Sequence, residues 1–166
     1  MSTPFSPGLS GEASAATFAA GDGLEGSMPS VMVIDDSPAI RKIIEVSFAR
    51  VGIPVTAFGD GISAIRALAN KEVVVPALLL LDLRMPRMDG YEVASVLRGH
   101  EAFANTVIIM LTAHDGVFDR MRAKMIGARG FITKPFRVQD VVNTVCSHLR
   151  IPVPNSAAPY GGPGTF

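Results

Sequence analysis

Short apolar blocks alternate with amphipathic stretches along the middle of this chain. Continuous hydrophobic runs occur at residues 31–34, 78–81 and 107–111. Runs of this length, bounded by polar or turn residues, are typical of strands that are buried on both faces of a parallel sheet. Residues 55–58 and 129–133 predict two more strands. We therefore expect five strands, the third ending at Asp82 and the fourth ending at Thr112.

The stretches between these strands carry helix signals. Ser37 is a suitable N-cap before Pro38, and apolar residues then recur at a helical spacing until Gly52. Further helices are predicted at about 60–69, 90–97, 115–126 and 138–149. The side chains predicted to be buried are, in the first helix, Ile40, Ile43, Ile44 and Phe48 and, in the second, Ile62, Ile65, Leu68 and Ala69.

Five strands and five helices in strict alternation predict an α/β domain with helices on both faces of a parallel sheet. The expected arrangement is flavodoxin-like and doubly wound, with strand order 2-1-3-4-5, which places strand 1 beside strand 3. Residues 30–150 form the predicted single domain. Residues 1–29, rich in Gly, Ser, Ala and Pro, and the Pro/Gly tail at 151–166 are predicted to be disordered.

Composition narrows the function. Fifteen basic and fifteen acidic residues cancel, so the net charge gives no reason to expect direct nucleic-acid binding. The longest apolar run, 73–81, contains Pro76 and is too short to span a bilayer. The single cysteine, Cys146, excludes an intrachain disulfide and has the helical spacing of a buried residue. These features predict a cytoplasmic protein that is not bound to a membrane.

Polar residues stand at the ends of four predicted strands: Asp35 and Asp36, Asp82, Thr112 and Lys134. The carboxyl ends of parallel strands meet at one rim, where ligands of open α/β sheets bind. Three carboxylates placed together repel one another, and a divalent cation would relieve that repulsion. Oxygen ligands without Cys or His favour Mg²⁺ or Mn²⁺. A carboxylate is also a competent nucleophile toward phosphorus, so an aspartyl phosphate is a candidate chemistry.

Four motifs in this order resemble the receiver domain of two-component response regulators. The resemblance covers residues 31–150, and each motif ends a predicted strand. The motifs are VIDDS at 33–37, LDLRMPRMDG at 81–90, LTA at 111–113 and TKPF at 133–136.

The resemblance implies a phosphoacceptor rather than an enzyme, one that assists its own phosphorylation and dephosphorylation. Asp82 would accept the phosphoryl group. Asp36, Asp82 and the backbone carbonyl of Arg84 would bind Mg²⁺ or Mn²⁺, and Asp35 would contribute through water. A simpler interpretation of the Asp35–Asp36 pair is that it stabilises the amino end of a helix.

Three further residues take roles from the same resemblance. Lys134 would contact the phosphoryl group, Thr112 would be the switch hydroxyl, and Phe131 would be the switch aromatic. Each also has a simpler interpretation: Lys134 as a loop lysine, Thr112 as a helix cap, and Phe131 as a core aromatic only. His114, two residues after Thr112, would flank the site without being part of the acidic cluster.

The resemblance also implies partners. A histidine kinase or a histidine phosphotransfer protein would donate the phosphoryl group, and a downstream protein would bind the face formed by helix 4, strand 5 and helix 5. Many receivers attached to DNA-binding domains carry two acids just before the switch aromatic, where this chain has Arg129 and Gly130. We therefore expect a monomer or weak dimer.

Three other interpretations stay open. The tail after Arg150 favours a stand-alone receiver, although the chain could be a fragment of a longer DNA-binding regulator. A hydrolase that uses an aspartyl phosphate would be expected to carry a DxD nucleophile loop, whereas residues 82–84 are Asp, Leu and Arg. A phosphorylation-independent interaction module on the receiver fold would be favoured by loss of an acid, the lysine or the threonine, and all are present.

Overall fold

The computed structural model describes residues 29–113 and 116–153. Predictions about the remaining residues, including disorder at both ends, the start of helix 4 at 115 and the position of His114, lie outside the described residues. The described elements are β1 (Val31–Ile34), α1 (Pro38–Arg50), β2 (Val55–Phe58), α2 (Gly61–Ala69), β3 (Leu78–Asp82), α3 (Gly90–Arg98), a 3₁₀ turn (Glu101–Phe103), β4 (Val107–Thr112), α4 (Val117–Met125), β5 (Gly130–Thr133) and α5 (Val138–Leu149).

The five strands form one parallel sheet in the order β2-β1-β3-β4-β5, as predicted. Side chains alternate between the two faces of a strand, so each fully buried strand contributes to two cores. Leu79 and Leu81 of β3 pack with residues of α2, α3 and α4, whereas Leu78 and Leu80 pack with residues of α1 and α5. The leucine run is therefore covered by helices on both sides.

Local signals set the helix boundaries. The Ser37 hydroxyl accepts a hydrogen bond from the Ile40 amide, with Pro38 in the first turn. Asp89 and Glu92 form a reciprocal capping box at the start of α3. Gly52, just after the end of α1, has a φ of 73°, which glycine adopts without the cost that a side chain would add.

The predicted buried stripes were too wide. Ile43 on α1 is 44% exposed and Ile62 on α2 is 39% exposed, so both predictions of burial were wrong. The buried positions are Ile44 and Phe48 in α1, and small residues such as Ala64 supply much of the buried face of α2. Neighbouring residues such as Ile43 and Ile44 point in directions about 100° apart on a helix, so the sheet buries Ile44 and leaves Ile43 exposed.

Two further predictions are tested by the fold. Cys146 is fully buried in the core between the sheet and α5, as expected from its spacing. Within the described ranges, no helix is long and apolar enough to cross a membrane.

Candidate functional site

The strand register brings the predicted site residues to one rim. In β1 and β3, Ile34 lies beside Leu81, so Asp35 follows β1 next to the end of β3. Asp82 pairs with Leu111 of β4, so Thr112 follows one position beyond it. The Lys134 amide donates to the Thr112 carbonyl at 2.6 Å. The parallel sheet thus gathers residues from opposite ends of the domain.

Three carboxylates cluster at this rim. Asp35, Asp36 and Asp82 each present an oxygen within 4.8 Å of the others. Asp35 is fully buried and Asp82 is 5% exposed, whereas Asp36 is exposed. Both oxygens of Asp35 already have partners, because Oδ1 accepts from the Ser37 amide and Oδ2 accepts from Lys134. The exposed Asp36 is therefore the acid most open to direct metal coordination, and the fully buried Asp35 is suited to a supporting role.

Lys134 is the cation of the cluster. Its Nζ lies 2.6 Å from Oδ2 of Asp35 and 3.1 Å from Oδ2 of Asp82. Burial alone would lower the pKa of Lys134, but the hydrogen bonds and charges of the two acids outweigh burial and raise the pKa. Lys134 therefore stays charged at neutral pH and neutralises part of the acidic cluster.

The surroundings of Asp82 disfavour the ionised form of its carboxyl group. Burial and then the charge of Asp35 raise its pKa, and Lys134 opposes this rise without cancelling it. The Arg84 amide also donates to Oδ1 of Asp82 at 3.3 Å. The carboxyl whose pKa burial and repulsion raise is thus the one that the sequence predicts as the nucleophile, in keeping with the perturbed groups found at functional sites.

The loop after Asp82 folds back over the end of β3. The Gly90 amide donates to the Leu83 carbonyl at 3.0 Å. A Cβ at Gly90 would collide with the Asp82 backbone oxygen. Gly90 therefore permits α3 to begin directly against the end of β3.

The two predicted switch residues lie on neighbouring strands. Thr112 is buried at the end of β4. Phe131 pairs with Met110 across the β4–β5 ladder, is half-buried, and packs against the core on the α3 and α4 side. A role as a core aromatic is therefore supported for Phe131, while its role as a switch stays a prediction.

One cluster beside the site has no signal in the sequence. The Tyr91 hydroxyl lies 3.0 Å from both the backbone oxygen and Oδ1 of Asp119 and donates its hydrogen between them. The Arg122 guanidinium lies 4.1 Å from the centre of the Tyr91 ring. Burial and the bond to Asp119 raise the pKa of Tyr91 to about 12, so the phenol remains a donor at neutral pH.

This cluster lines a cleft of about 520 Å³ that also touches Asp36 and Arg84. It joins the start of α3 to the first turn of α4, residues 28 positions apart. The partner on α4 depends on the packing of the two helices.

Comparisons with known proteins identify the family of this chain. Residues 31–146 match the family model described as the response regulator receiver domain. Protein PilG of Pseudomonas aeruginosa is 34% identical over 119 residues, which cover 72% of this chain and 86% of PilG. The DNA-binding dual master transcriptional regulator RpaA of Synechocystis is 36% identical over 123 residues, covering 74% of this chain but 50% of RpaA. The chain thus spans about half the length of some curated relatives.

Solved structures of response regulators share the fold of this chain. The Vibrio cholerae chemotaxis protein CheY4 aligns with a TM-score of 0.67 and 27% identity, over 73% of this chain and 98% of CheY4. A response regulator receiver protein from Burkholderia phymatum aligns with a TM-score of 0.67 and 32% identity, over 76% of this chain and 98% of that one.

Proposed function

Because this chain belongs to the response-regulator receiver family, we propose that it accepts a phosphoryl group on Asp82 from a histidine kinase or a histidine phosphotransfer protein. The observation that carries the proposal is the position of Asp82, which is nearly buried beside two other carboxylates and only 3.1 Å from the Lys134 ammonium. A nucleophile, a cation and a metal-binding acid set are the parts that phosphoryl transfer to a carboxylate needs.

The proposed reaction moves one phosphoryl group. A carboxylate oxygen of Asp82 forms a bond to phosphorus, and the phosphorus–nitrogen bond to the donor histidine breaks, with its electron pair returning to the imidazole. Lys134 stabilises negative charge on the phosphoryl oxygens, and the Thr112 hydroxyl donates to another of them. Lys134 already contacts the accepting carboxylate, so little rearrangement is required of it.

The donor set fits Mg²⁺ or Mn²⁺. Asp36 and Asp82 would supply carboxylate oxygens, Arg84 a backbone carbonyl, and Asp35 a hydrogen bond through water. Few carboxylates together with waters and a phosphoryl oxygen are the ligands that Mg²⁺ favours. The cation would supply positive charge next to the phosphoryl oxygens. Lys134 contacts Oδ2 of both Asp35 and Asp82, and the Arg84 amide contacts Oδ1 of Asp82 at 3.3 Å, so the exposed Asp36 is the acid most open to that cation.

The proposed output surface is the face formed by α4, β5 and α5. Phe118, Met121 and Met125 recur on α4 at a spacing of three and four residues and are 83%, 55% and 81% exposed. Exposed apolar side chains grouped on one helix face are typical of protein interaction sites. Thr112 and Phe131 would connect Asp82 to this face, because Phe131 lies in β5 and packs toward the α4 side of the core.

We further propose that the chain acts as a signalling phosphoacceptor rather than as an enzyme with a separate substrate, and that it works in the cytoplasm. Its similarity to PilG, of which the alignment covers 86%, supports a receiver that makes up most of its protein. Its similarity to RpaA leaves a receiver within a longer DNA-binding regulator as the second arrangement.

The test is phosphorylation by acetyl phosphate with Mg²⁺, measured on a phosphate-affinity gel. We expect labelling of the wild type, none of Asp82→Asn, and none of the wild type in EDTA. Asp89→Asn is the matched control, because it changes an acid of the adjacent loop and keeps a side chain that can cap α3. Undiminished labelling of Asp82→Asn would contradict the assignment. A wild type that takes up no phosphoryl group would favour a phosphorylation-independent interaction module.

A further inference from the structure

A basic groove lies at the opposite rim from the acidic cluster. It opens at the amino ends of β4 and β5, between α4 and the end of α5, and has a volume of about 1040 Å³. Among the residues that the structure describes, no Asp or Glu lines it. Its charged residues are Arg98, Arg120, Lys124, Arg129 and Arg150. These are five of the fifteen Lys and Arg residues of a chain whose net charge is zero.

The cations come from separate elements and converge on one concave space. Arg120 and Lys124 are four residues apart on α4, so they share one helix face. Arg129 precedes β5, and Arg150 follows α5 in a left-handed conformation with a φ of 56°. Phe131 adds an aromatic side chain to the same groove. Because these cations line one groove, several of them can contact the same bound anion, which charges spread over a convex surface cannot do.

The positive charges act on one another. Burial lowers the pKa of Arg98, and the charge of Arg129 lowers it further. Within the described ranges, Lys124, Arg129 and Arg150 make no ion pair with a carboxylate. An anion in the groove would relieve this repulsion and would gain several charge-assisted hydrogen bonds.

Arg98 contributes charge while holding the groove in shape. Its guanidinium donates to the carbonyls of Phe103 at 2.6 Å, Thr106 at 2.9 Å and Gly127 at 3.1 Å. These carbonyls belong to the loops before β4 and before β5, which form one side of the groove. Arg98 is therefore unsuitable for substitution in a binding test, whereas Lys124 and Arg129 lie on separate elements and hold no such loop together.

We propose that this groove binds a small anionic ligand that carries at least two phosphate groups and has the size of a nucleotide. The planar guanidinium pairs its donors with phosphate oxygens, and four of the five cations are arginines. Ligand sites commonly occupy about 300–1,000 Å³, and this groove, at about 1040 Å³, lies just above the upper end of that range. The site is separate from Asp82 and does not depend on the proposed phosphoryl chemistry.

The test is isothermal titration of the full chain in EDTA at low salt with four probes: ATP, inorganic pyrophosphate, adenosine and an oligoglutamate peptide. EDTA removes binding that a metal ion at the acidic cluster would support. We expect ATP and pyrophosphate to bind and adenosine not to bind. In Lys124→Gln/Arg129→Gln, ATP affinity should fall about tenfold or more, because the variant loses two cations that would each form a charge-assisted hydrogen bond.

The controls separate this site from the rest of the molecule. Lys42→Gln/Arg66→Gln removes two cations from α1 and α2, away from the groove, and should bind ATP as the wild type does. Asp82→Asn should also bind normally, so a failure of the proposed phosphoacceptor function would leave this result intact. Circular dichroism checks that each variant is folded.

Four outcomes would overturn the proposal: unchanged ATP affinity in the groove variant, an equal loss in the control variant, equal binding of adenosine and ATP, or tighter binding of oligoglutamate than of ATP. The last result would assign the groove to an acidic protein segment. Amide chemical shifts on adding ATP should move at residues 104–107 and 127–131, and shifts confined to the opposite rim would also refute the assignment.

Discussion

Replacing Lys134 with Met is expected to destabilise the protein most strongly near neutral pH. The Lys134 ammonium contacts Oδ2 of Asp35 at 2.6 Å and Oδ2 of Asp82 at 3.1 Å. Asp35 is fully buried and Asp82 nearly so. Methionine keeps a flexible apolar stem of similar length but removes the charge, so two buried carboxylates would face each other without this cation.

The size of the effect follows from burial. Removing one partner of a buried ion pair costs about 3–5 kcal/mol, because the remaining charge stays buried. The Lys134 side chain is 18% exposed, so water reaches the site and reduces that cost. We therefore expect the free energy of unfolding to fall by about 2–4 kcal/mol at neutral pH.

The effect should depend on pH in a defined direction. The pKa of Lys134 is raised in the folded state, so its contribution is fully present at neutral pH and is lost only as pH rises through that raised pKa. The pKa of Asp82 is raised mainly by burial, so its ionised form lowers stability as pH rises from its unfolded pKa through its folded pKa. Without Lys134 this loss increases. The variant should therefore approach the wild type in acid.

Urea unfolding followed by circular dichroism, at about pH 7 and about pH 4 in EDTA, measures both effects. Lys42→Met is the matched control, because Lys42 lies on α1 and contacts neither acid of the cluster. The reasoning is refuted if Lys134→Met loses less than about 0.5 kcal/mol, as an ordinary surface substitution would. It is also refuted if the difference from the wild type is the same at both pH values.

Three further substitutions test other parts of the site. Asp82→Asn should be more stable than the wild type at neutral pH, because it removes an anion whose pKa is raised by burial and by Asp35; a less stable variant in urea would contradict this. Tyr91→Phe should lose about 1 kcal/mol of unfolding free energy with its bond to Asp119, and unchanged thermal unfolding would argue against that bond. Gly90→Ala should lose about 1–3 kcal/mol because its Cβ meets the Asp82 backbone, and wild-type stability in urea would show that the loop can move aside.

The sequence predicted much of this rim because the relevant signals are local. A buried strand that ends in an acid can be recognised without knowledge of its neighbours, as at Asp82. Once five such strands are ordered, parallel topology alone brings Asp35, Thr112 and Lys134 to the same place. Residues that are far apart in the sequence can therefore be assigned to one site from the order of the strands alone.

Other features depend on how the helices pack, which the spacing of apolar residues in the sequence does not describe. Ile43 and Ile62 follow the apolar repeat but lie beside the buried stripe, since the width of that stripe is set by the sheet below. The bond from Tyr91 to Asp119 requires the relative position of α3 and α4. A neutral total charge likewise conceals the concentration of arginines in the basic groove, because charges from α3, α4 and the segments flanking β5 and α5 meet only after folding.

Helix α4 is fastened differently at its two ends. Beyond its carboxyl end, the Gly127 carbonyl is held by Arg98, whose guanidinium also binds two carbonyls of the loop before β4. Near its amino end, the phenol of Tyr91 supplies a single shared hydrogen to Asp119. A nine-residue helix is about 13 Å long, so a rotation of α4 about the end held by Arg98 would move its amino end the most. A displacement on the Asp82 side would swing Phe118 and Met121 through a larger arc than Met125.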